Sequence, residues 1–71
     1  MAIRVTLGRV MAEKKVKSKD LAAAIGITEA NLSLLKQGKV KGIRFETLDA
    51  LCRQLGCTPG DLLQTVSEEE A

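Results

Sequence analysis

The chain has 71 residues, 45% of them apolar, enough for one small helical domain and too few for a second. Its longest apolar run, Leu21 to Ile27, is seven residues, so neither a membrane span nor a secretion signal is expected. The formal net charge of +2 conceals a split: Met1 to Arg44 carries ten Lys or Arg against three acids, giving +7, and Phe45 to Ala71 one Arg against six acids, giving −5. Such an asymmetry leans toward a basic face and a polyanionic partner.

In chain order, Ile3-Arg4-Val5 alternates apolar and charged residues and suits a short N-terminal strand. Thr6 stands as the cap of a first helix carrying Leu7, Val10 and Met11, with Lys14 and Lys15 at its negative end and Gly8 as a weak point. A second helix starts near Ser18, places Asp20 in its first turn and ends at Gly26. The third starts after Thr28, turns Leu32 and Leu35 inward and stops at Gly38. Phe45, Leu48, Leu51, Cys52 and Leu55 mark a fourth helix closed by Gly56, with Phe45 and Cys52 expected on one buried stripe. Thr58-Pro59 opens a brief fifth helix through Leu62 and Leu63. Residues 1–66 are expected to form one all-α domain, and 67–71 an acidic, frayed tail.

The absences narrow the chemistry. The chain has no His, the commonest general base and metal ligand, and no Gly-rich phosphate loop. Cys52 and Cys57 cannot close a zinc site by themselves. No enzyme, cofactor, metal or small-molecule ligand is expected, and no membrane partner; the expected location is cytoplasmic. Nucleic acid and protein remain as partners.

Ser18 to Gln37 is the informative stretch. Two helices crossing at about 90–120° through a turn of three to four residues need a small residue where they touch and a left-handed residue in the turn. Ala22 and Gly26 supply these, and Leu21, Ile25, Ile27, Leu32 and Leu35 can share one core.

Here the sequence resembles the phage-repressor or Xre-type helix-turn-helix family, in particular its small stand-alone members. The likeness rests on Ile3-Arg4-Val5, on Gly26-Ile27-Thr28-Glu29-Ala30-Asn31-Leu32-Ser33-Leu34-Leu35, on Gly38-Lys39-Val40-Lys41-Gly42-Ile43 and on the run from Leu48 to Leu63. It covers roughly residues 3 to 66. The resemblance implies a five-helix, lambda-repressor-like DNA-binding domain, a transcriptional repressor whose third helix, 29–37, lies in the major groove of double-stranded DNA. Carried over by position, Glu29, Ala30, Ser33 and Leu34 face the bases, with Asn31 at the edge of that face. Glu29 can accept from a cytosine amino group, Ser33 can pair with several bases, and Leu34 or Ala30 can touch a thymine methyl. Glu29 equally suits the positive end of its own helix. The chain departs from many relatives in having Ser18, Glu29 and Leu34 where Gln and a basic residue are common, so no Arg stands ready for the bidentate guanine contact.

Phosphate contact has more candidates. Ser18 and Lys19 open the second helix, whose free N–H groups also bind anions. Lys36, Lys39, Lys41 and Arg44 follow within nine residues with no acid among them. Arg4, Arg9 and Arg53 read as plain surface charges. A homodimer would match a palindromic operator, and Ile3–Val5 could pair with Gln64-Thr65-Val66 either within the chain or between two chains. Cys57 is expected to pack under the last turn, with a regulatory disulfide to Cys52 as an alternative. The competing reading is a protein-interaction module, antitoxin-like or accessory, that uses an exposed Leu34.

Overall fold

A computed structural model of the chain describes residues 2–67. Five helices stand between two strands: β1 (Ala2–Val5), α1 (Leu7–Lys14), α2 (Ser18–Ile25), α3 (Glu29–Gln37), α4 (Phe45–Leu55), α5 (Pro59–Leu62) and β2 (Leu63–Val66). Of the expected acidic tail, Ser67 is exposed beyond β2 and the rest lies outside the described residues.

Each helix begins with the same signal. The caps are Thr6, Lys17, Thr28, Arg44 and Thr58. Immediately before them stand Val5, Val16, Ile27, Ile43 and Cys57, all half-buried and packed against the core. Four residues after each cap come Val10, Leu21, Leu32, Leu48 and Leu62, all buried. An apolar pair straddling the cap in this way is a hydrophobic staple, which fixes the angle at which the chain enters a helix. Repeated five times, it aims every helix at one core.

The helix ends are as regular. Lys15, Gly26, Gly38 and Gly56 take left-handed backbone angles after α1, α2, α3 and α4. The following residue then returns its N–H to a carbonyl five positions back: Val16 to Met11, Ile27 to Ala22, Lys39 to Leu34 and Cys57 to Cys52. Lys15, at φ 57°, is the one side-chain-bearing residue in this conformation among those described.

The core of Leu7, Val10, Met11, Leu21, Ala22, Leu32, Leu35, Leu48, Leu51, Leu55 and Leu62 takes residues from all five helices. β1 and β2 pair antiparallel, Ala2 opposite Val66 and Val5 opposite Leu63, so the N-terminal strand finds its partner within the chain. Thr6 locks this closure: its N–H donates to the Leu62 carbonyl at 2.8 Å, and its hydroxyl to the Asp61 carbonyl at 2.6 Å. The hydroxyl is thereby diverted from the side-chain capping of α1 that the sequence suggests.

One core assignment is corrected. Phe45 is 86% exposed and does not share a buried stripe with Cys52. It is the first residue of α4, and the seat against the stripe of Leu48, Leu51 and Leu55 belongs to Ile43, two residues earlier and before the cap. Cys52 itself is half-buried against the core.

Candidate nucleic-acid interface

α2 and α3 are joined by Gly26, Ile27 and Thr28 alone. Gly26 turns the chain at φ 77°, and Ala22 is buried, leaving the helices free to cross closely. Leu32 and Leu35 hold α3 to the core. With those two buried, the periodicity of the helix points Glu29, Ala30, Asn31, Ser33 and Leu34 outward, and all five are exposed. Leu34 is 42% exposed, an apolar side chain with its tip in solvent.

Local bonds order this face. The Thr28 hydroxyl accepts from the Asn31 backbone N–H at 3.0 Å, fixing the first turn of α3. Gln37 Nε2 donates to Ser33 Oγ at 2.9 Å, one helical turn away. That pair leaves the Ser33 hydroxyl proton to donate and the Gln37 amide oxygen to accept. Gln37 was not singled out from the sequence, although its position four residues after Ser33 puts it on the same face.

The cations divide into committed and uncommitted ones. Arg9 pairs with Glu13 at 3.2 Å and Arg53 with Asp49 at 2.8 Å, each four residues along its own exposed helix face. Lys36 reaches from α3 to the start of α2, where its Nζ donates to Ser18 Oγ at 3.1 Å. Its stem passes Gly8 of α1, so that a Cβ at Gly8 would lie 3.7 Å from Lys36 Cε, an ordinary contact. Lys36 is therefore half-buried, and it brings its charge beside Ser18. The cap of α2, Lys17, offers no side-chain bond to the first N–H groups of that helix. Lys19 is exposed in the same first turn. Lys39, Lys41 and Arg44 are exposed on the connection of residues 38–44, with no acid on it.

Cys57 and Asp61, on either side of the start of α5, titrate away from their ordinary values. Hydrogen bonds from the Thr58 backbone and hydroxyl to Asp61 Oδ2, at 2.9 and 3.1 Å, lower the Asp61 pKa. Burial and the neighbouring Cys52 raise that of Cys57, and both cysteines are free thiols. Among the described residues, no group of three or more His, Cys, Asp or Glu could hold a metal ion, and no helix is long and apolar enough to cross a membrane.

An uncapped helix start beside a lysine, a turn that crosses two helices, and an outward third-helix face are features a DNA duplex can engage. Comparison with known proteins agrees. Residues 6–68 match the Cro/C1-type HTH DNA-binding domain. The uncharacterized HTH-type transcriptional regulator YozG of Bacillus subtilis (strain 168) is 46% identical over 70 residues, covering 99% of this chain and 83% of that protein. These likenesses favour DNA over the protein-interaction reading. The chain belongs to the family of Cro/C1-type helix-turn-helix DNA-binding domains.

Proposed function

We propose that this chain regulates transcription by reading a specific duplex sequence with α3 in the major groove, and that it acts as a repressor by occupying that DNA. Regulation comes from its likeness to a protein named a transcriptional regulator. The observation that carries the docking is the Lys36–Ser18 bond, which ties the start of α2 to α3. A phosphate bound at the α2 N-terminus would then set the depth of α3 in the groove.

Ser18, Lys19, Lys36, Lys39, Lys41 and Arg44 hold phosphates in this reading. Glu29, Ala30, Asn31, Ser33 and Leu34 face base edges, and Gln37 joins them through Ser33. Leu34 and Ala30 suit thymine methyl groups, and Glu29 a cytosine amino group. The chain works by binding alone, in the cytoplasm, where the DNA is. Two copies on a palindrome would set their α3 helices about 34–36 Å apart.

The test is a titration of the chain against labelled genomic fragments over a range of salt. With about four to six phosphates neutralised, log K falls against log salt with a slope of roughly −4 to −5. A flat salt response, or no binding to any duplex at low salt, overturns the reading.

A further inference from the structure

Cys52 and Cys57 lie outside the candidate interface, and packing alone does not require thiols where they stand. At the end of α4 the Cys57 N–H donates to the Cys52 carbonyl at 3.0 Å. A closure of this kind brings the side chains of its first and last residues together. The same closure joins Met11 to Val16 after α1 and Ala22 to Ile27 after α2, where the paired side chains are apolar. Of the four helices closed in this way, α4 is the one with two thiols at these positions. Both thiols are free, half-buried and within hydrogen-bonding reach of each other. Cys57 also lines a surface cavity of about 300 Å³, with Lys14 and Asp61 in its wall, which opens a path to the pair.

We propose that Cys52 and Cys57 together bind a soft monovalent metal cation, Cu(I) in the first place. Thiolate sulfur selects Cu(I), zinc and iron–sulfur clusters. Zinc takes at least three protein ligands and the clusters four. Among the described residues no third His, Cys, Asp or Glu completes such a set with the two thiols. Cu(I), with its filled d shell, is satisfied by two sulfurs. Binding releases both thiol protons to water and forms two Cu–S bonds, with no electron transferred. The occupied site carries one negative charge, which Lys14 attracts and Asp61 repels, as each already acts on Cys57. A disulfide, the other use of such a pair, begins from a thiolate. Burial and the neighbouring Cys52 hold Cys57 in its thiol form, and a soft cation displaces that proton itself. Because the end of α4 holds the two ligands together before the metal arrives, the folded chain binds more tightly than the unfolded one.

The experiment uses the full reduced chain, without oxygen and without DNA, so its failure and a failure of DNA binding are separate results. Cu(I) is supplied as its complex with a chromogenic chelator, whose colour reports the metal withdrawn. The native chain should take one Cu(I) per molecule. X-ray absorption of that sample should show two sulfur neighbours, a result that depends on no variant's folding. Copper should also raise the unfolding midpoint, since it favours the folded chain. Cys52→Ala and Cys57→Ala should each weaken uptake roughly 100-fold or more, because the second sulfur binds within the same molecule. Circular dichroism should show the helices of both variants intact. Any of four results overturns the proposal: no withdrawal of Cu(I) by the native chain, uptake by either variant equal to the native, a metal shared between two chains, or a midpoint that copper leaves unmoved or lowers.

Discussion

The connections of this protein are of two kinds. α1–α2, α2–α3 and α4–α5 are each joined by three residues, Lys15-Val16-Lys17, Gly26-Ile27-Thr28 and Gly56-Cys57-Thr58. In every one, a left-handed residue ends the helix, an apolar residue packs on the core, and a cap starts the next helix. The middle residue serves both neighbours, since its N–H closes the preceding helix and its side chain staples the following one. Between α3 and α4 the chain instead takes seven residues, 38–44. There the residue after the left-handed Gly38 is Lys39, and the apolar Ile43 comes only at the far end. Packing and helix termination account for the left-handed and the middle residue of each short connection. They give no packing role to the exposed side chains of Lys39, Lys41 and Arg44, and a basic segment of that kind is where a binding role is to be sought.

The largest expected contrast between the two kinds is in stability. Leu21→Ala removes the inner half of the α2 staple and leaves a cavity, at a cost of about 2–5 kcal/mol. Val40→Ala, in the long connection, should stay within about 0.5 kcal/mol. Urea denaturation of both variants checks this, and equal losses would erase the distinction.

Binding should show the reverse order. Leu34→Gln is expected to change the preferred base at one operator position by about 1–3 kcal/mol while leaving the salt slope alone. Lys39→Ala or Lys41→Ala should weaken all sequences about equally and make the slope shallower by about 1 each. None of the three should alter thermal stability by more than about 0.5 kcal/mol, because none is buried. Binding isotherms at several salt concentrations, with parallel melting curves, separate these outcomes.

Backbone substitutions act on the two kinds of connection directly. Gly26→Ala or Gly56→Ala forces a side chain into the left-handed region and should cost about 1–2 kcal/mol. Lys15→Gly relieves the same conformation and should stabilise the chain by up to about 1 kcal/mol. Gly42, in the long connection, has an ordinary φ and open space at its Cβ, so Gly42→Ala should gain about 0.4–1 kcal/mol. Denaturation midpoints report all three signs.

Much of this architecture was legible in the sequence because its signals are local. Thr28 as a cap, Gly26, Gly38 and Gly56 as stops, and Pro59 as a first helical residue each act within one turn. The inward phase of α3 followed from the spacing of Leu32 and Leu35. Phe45 failed because periodicity alone was extended to a residue at the helix edge, where the staple from Ile43 decides what faces the core. The Lys36–Ser18 bond was out of reach for another reason: the two residues were separate candidates, and only the packing of α2 on α3 brings them together. Whether Ile3–Val5 pairs within or between chains was likewise undecidable from local pattern, since both pairings satisfy the same strand.

The smallest expected effect is on pH dependence, at the last short connection. The Asp61 pKa is lowered in the folded chain by its bonds from Thr58. Its contribution is therefore present above the ordinary carboxylate pKa and is lost as pH falls through the folded value. Stability measured from neutral to acid pH should decline more steeply in the native chain than in Asp61→Asn, and identical curves would remove the role given to this bond.

In the proposed function the outward face of α3 and the long connection meet DNA, whereas the short connections hold the fold. Backbone amide shifts of the full chain, followed by NMR as duplex DNA is added at low salt, test it most directly. The largest changes are expected at residues 18–19, 29–34 and 39–44, with 56–58 nearly silent. Large changes at 56–58 with α3 unperturbed would contradict it.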